Sequence, residues 1–80
     1  MDKVERVQTG LRLEKRLLKV LKGLAEHFDI SVAELVEAMV LHAFEGKAPF
    51  SEDTQARIAH LKQVYDLDLT ADDSHRLTED

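Results

Sequence analysis

Eighty residues, 44% apolar and 34% charged, describe one small domain whose core is marginal without a staple or a partner. The absence of cysteine excludes disulfides and thiolate metal sites and suits a reducing cytoplasm. The net charge of −5 is uneven: residues 1–27 hold seven basic against four acidic side chains, residues 28–80 four against twelve, so two surfaces with different partners are expected.

The charged opening "MDKVERVQ" lacks the apolar region of a secretory leader, and no run is long enough to span a membrane. The chain is therefore expected in the cytoplasm, with no membrane partner. "RVQTGLRL", residues 6–13, alternates: Val7, Thr9, Leu11 and Leu13 on one side, Arg6, Gln8, Gly10 and Arg12 on the other. That is the period of a strand. No second stretch alternates in this way, so the strand's backbone groups need a partner from outside the chain.

Glu14 to Phe28 reads as a first helix, with Leu17, Leu21, Leu24 and Phe28 on one stripe and Gly23 inside the pattern, tolerated or permitting close packing. Ser31, with Glu34 three residues on, makes a capping box, and Ile30 with Leu35 a hydrophobic staple. The second helix then runs to about Glu45, with Gly46 as its C-terminal cap. Ser51, followed by Glu52 and Asp53, opens a third helix carrying Ile58, Leu61, Val64 and Tyr65; Thr70 with Asp73 suits one more short turn.

The stretches "GLRLEKRLLKVLKGLAEHF", "DIS" and "SVAELVEAM" together resemble the ribbon–helix–helix family of the Arc and Met repressors over about residues 5–46. The resemblance implies a mainly α fold. One short N-terminal β-strand pairs with its copy in an intertwined homodimer, and a C-terminal helix is appended here. Residues 1–48 then form the dimerisation and DNA-binding domain, and 49–80 an acidic helical extension.

The same resemblance places Arg6, Gln8, Gly10 and Arg12 against base edges in the major groove, and Ser31 and Val32 against a phosphate. The chemistry fits: arginine donates twice to guanine, glutamine pairs with adenine, and helix N-termini attract anions. Three features depart from the family pattern. Gly10 has no side chain to read with, Asp29 stands where glycine is usual, and Glu14 stands where proline often ends the strand.

The implied function is a homodimeric transcriptional regulator that inserts a two-stranded ribbon into double-stranded DNA, with higher-order assembly on DNA. One alternative is the antitoxin of a toxin–antitoxin pair, residues 51–80 binding the toxin. Another is a dimeric assembly module that binds no DNA. No nucleophile motif, glycine-rich phosphate loop or acid–base pair points to an enzyme. His27, His42, His60 and His75 lack the spacing of a helical metal site, so neither metal nor cofactor is expected.

Overall fold

The computed structural model describes residues 2–79; Met1 and Asp80, the outer ends of the two expected units, lie outside the described residues. The chain forms α1 (Lys15–Phe28), α2 (Val32–Phe44) and α3 (Glu52–Val64), followed by a 3₁₀ turn at Ala71–Asp73. None of the helices among the described residues is long and apolar enough to cross a membrane.

The helices begin as their caps dictate. Ser31 Oγ accepts from the Glu34 N–H at 3.1 Å, and Ser51 Oγ from the Thr54 N–H at 3.3 Å. Only the first half of the expected capping box forms at Ser31: the Glu34 carboxylate accepts from the Ser31 hydroxyl at 3.4 Å. Glu14 caps α1, its carboxylate accepting from the Leu17 N–H at 2.9 Å. That hydrogen bond, with help from Arg16, holds the Glu14 carboxyl below its ordinary range. Thr70 and Asp73 close the 3₁₀ turn, the Thr70 N–H donating to the Asp73 carboxylate at 2.8 Å.

All three helices end in the same way. In each, a residue of positive φ follows the last turn: Asp29 at 59°, Gly46 at 69° and Asp66 at 55°. The paired backbone bonds of a Schellman motif accompany it, Ile30 N–H to Ala25 O, Lys47 N–H to His42 O and Leu67 N–H to Lys62 O. Gly46 adopts this conformation freely, whereas Asp29 and Asp66 carry a β-carbon into it.

The core is small. Leu24, Ala25 and Leu35 form its centre, and Leu21, Ile30, Met39, Ile58 and Leu61 pack around them. Ile30 beside Leu35 is the expected staple. Gly23 lets α3 approach α1: a β-carbon there would lie 3.1 Å from Leu61 Cδ2. The apolar stripe of α3 is thus spent on α1 through Ile58 and Leu61, and Tyr65 lies beneath the Lys19 ammonium, 5.9 Å from its ring centre.

The expected N-terminal strand does not form. Among the described residues there is no strand, and Asp2 to Leu13 is an irregular arm leading into α1. The expected ribbon–helix–helix fold is overturned by this arrangement of three helices without a strand. The physical reason is that alternation sorts side chains onto two faces without supplying a hydrogen-bonded neighbour. A strand exists only as part of a ladder. Val7 (79% exposed) and Leu11 (70%) do not reach the helices, where a strand would have turned them.

Candidate nucleic-acid interface

The arm is positioned at its two ends by arginine. Arg6 donates from Nε and Nη2 to the two carboxylate oxygens of Glu37 in α2, both at 2.9 Å. This planar, two-pronged geometry is the one by which arginine also recognises phosphate. The bond keeps Glu37 below the ordinary carboxylate range and raises Arg6, and Glu34 adds to the field on the guanidinium. Arg6 is therefore brought to the N-terminal half of α2. Arg12 goes elsewhere, its Nη2 lying 2.9 Å from the Glu79 carboxylate.

Between them, Gln8 and Gly10 are exposed, and nothing lies within 4 Å of the place a Gly10 β-carbon would occupy. The arm thus presents Arg6, Gln8, Gly10 and Arg12 at the surface, but not as one row on a sheet. Ser31 is exposed at the start of α2, with its hydroxyl engaged by Glu34. Val32 is half-buried against the core, so only its backbone faces an incoming anion. The carboxylate of Glu34 on the same turn opposes such an anion.

Glu37 and Glu79 are the residues that sequence reasoning missed. Glu37 lies 31 positions from Arg6, and no local spacing rule pairs residues that far apart. The histidines form no cluster: no group of three His, Cys, Asp or Glu side chains among the described residues could hold a metal. His42 instead lies with Nδ1 2.7 Å from the Ala38 carbonyl oxygen, one turn back along α2.

A second surface accompanies the arm. α2 directs Val32, Leu35 and Met39 at the core. On its outer side Val40, Leu41 (62% exposed) and Phe44 (82%) remain in solvent. Large apolar side chains gathered on one exposed helix face mark an interaction surface more often than a solvated one. Comparison with protein-family models, curated proteins and solved structures found no match to this chain.

Proposed function

We propose that the chain is a homodimeric DNA-binding regulator whose N-terminal arms make the nucleic-acid contact. The observation that carries this reading is the arm itself. It holds Lys3, Arg6 and Arg12 with Gln8 between them, it is exposed along its length, and its contacts are ion pairs that a phosphate can replace. Free of a neighbouring side chain, Gly10 allows the backbone to approach a groove wall closely. Here the contact is made by an arm, as arms do beside other DNA-binding domains.

Self-association is supported by the outer face of α2. A second copy packed on this face covers Val40, Leu41 and Phe44, and the Arg6–Glu37 pair, one turn before Leu41, borders that contact. The regulator reading is favoured over the antitoxin alternative by α3, whose Ile58 and Leu61 are committed to this chain's own core rather than free for a toxin.

Fluorescence anisotropy with a labelled duplex, over a series of salt concentrations, tests the proposal. Affinity should fall steeply with salt. Arg6→Ala and Arg12→Ala should each reduce the slope of log K against log salt by about one for every phosphate the arginine neutralises. Absence of salt-dependent binding at every concentration refutes DNA binding and leaves the assembly module. Sedimentation of Phe44→Glu tests the dimer, and a wild type that sediments as a folded monomer at all concentrations refutes it.

A further inference from the structure

We infer that the half-open apolar pocket between α1, α3 and residues 67–77 is a binding site for a medium-chain aliphatic carboxylate, with Lys62 as its anion partner. The cavity measures about 410 Å³, inside the roughly 300–1,000 Å³ range of small-molecule sites. Its walls include Val20, Leu24 and Leu67, three of the five buried apolar residues. It therefore reaches from the core to the surface.

Aliphatic walls cannot hold an ordered water, which needs two to four polar partners. Left unfilled, they keep apolar surface in contact with water. An aliphatic chain covers that surface, and an apolar lining of six leucines with Val20, Met39 and Ile58 against a single aromatic, Phe50, suits a flexible occupant better than a flat aromatic one.

The charge follows from the polar groups at the cavity. Asp73 also lines the pocket; its carboxylate is held at the 3₁₀ turn, accepting from the Thr70 N–H at 2.8 Å and lying 3.4 Å from the Thr70 hydroxyl, and it makes no ion pair with Lys62. Asp68, near Lys62 in the adjoining hollow, is held by Arg16 at 3.0 Å. Lys62 lines the cavity, is half-buried, and has no carboxylate within 4 Å among the described residues. An ammonium so placed attracts a carboxylate head while the apolar walls take the tail. The segment that closes the site is held to α1 by Arg16, which donates to the Asp66 carbonyl at 2.9 Å and so fixes the entry to this wall. This site does not depend on the chain binding DNA.

Titration calorimetry of the full chain with octanoate, and in parallel with 1-octanol, tests the inference, with amide chemical shifts locating the bound probe. Octanoate should bind saturably at one per chain, more tightly than 1-octanol, and move the resonances of α1, α3 and residues 67–77. Lys62→Gln should weaken octanoate about tenfold and leave 1-octanol unchanged. Because Lys62 lies outside the buried core, the variant retains the fold, which the shifts themselves verify. Three results overturn the inference: no saturable octanoate binding, an octanoate preference that survives Lys62→Gln, or shifts confined to the arm and the outer face of α2.

Discussion

Replacing Asp29 by glycine should stabilise the protein. Asp29 closes α1 with φ 59° and ψ 40°, a conformation that costs an L-residue roughly 1–2 kcal/mol, less for aspartate than for most. Its carboxylate also stands at the negative end of the α1 dipole, an unfavourable position worth about 0.3–1 kcal/mol. Glycine removes both terms but loses about 0.5–1 kcal/mol more chain entropy on folding. The balance favours Asp29→Gly by about 0.5–1 kcal/mol, which for a domain of this size raises Tm by roughly 2–8 °C. Asp29→Asn separates the contributions, since asparagine keeps the tolerance for this backbone and removes only the charge. Thermal unfolding followed by circular dichroism at helical wavelengths reads all three proteins. A Tm for Asp29→Gly equal to or below that of wild type refutes the reasoning.

Other perturbations probe the same architecture. Asp66→Gly should stabilise by a similar amount, and Gly46→Ala should destabilise by about 1 kcal/mol, because Gly46 has φ 69° and alanine does not share its freedom; denaturant midpoints measure both. Gly23→Val should cost about 1–3 kcal/mol by pressing on Leu61, already 3.1 Å from an added β-carbon, and a second substitution, Leu61→Ala, should recover part of the loss in a double-mutant cycle. Glu14→Ala should lower Tm at neutral pH. Since the Glu14 pKa is depressed in the folded state, its contribution is present above its ordinary value of 4.5 and is lost as the pH falls through the lower folded value. The Tm difference between wild type and Glu14→Ala should therefore shrink on acidification, and a difference independent of pH would show that the carboxylate cap contributes nothing. Truncation after Phe50 removes Ile58, Leu61 and Leu67 from a core that has little to spare, so melting should lose its cooperativity.

The helices are legible because their signals are local. Ser31 and Ser51 each sit immediately before a run with helical spacing, and a cap bond spans only three residues, so sequence neighbours are spatial neighbours. The staple of Ile30 with Leu35 and the 3₁₀ turn at Thr70 are local in the same sense. Two other local features carry roles that their side chains disguise. Glu14, a residue that seldom caps, is the cap of α1, and Asp29 adopts a conformation that favours glycine. Glu14 thus starts a helix where no strand precedes it.

The arm misleads for the opposite reason. Alternation in "RVQTGLRL" is a statement about side-chain direction along one segment, whereas a strand is a relation between two segments. The pattern leaves open whether Val7 and Leu11 meet anything, and in the folded chain they are exposed. What fixes the arm instead is charge. The basic front of the chain and its acidic remainder, distinct in sequence, meet at Arg6 with Glu37 and at Arg12 with Glu79. Exposed pairs of this kind contribute little to stability, and salt weakens them further. Their effect falls on availability: each arginine must leave a carboxylate before it contacts another anion. A nucleic acid that binds the arm thus competes with this chain's own acidic residues, and Glu37→Gln should raise its affinity most at low salt. Unchanged affinity at low salt in that variant would show that the Arg6–Glu37 pair does not compete with binding.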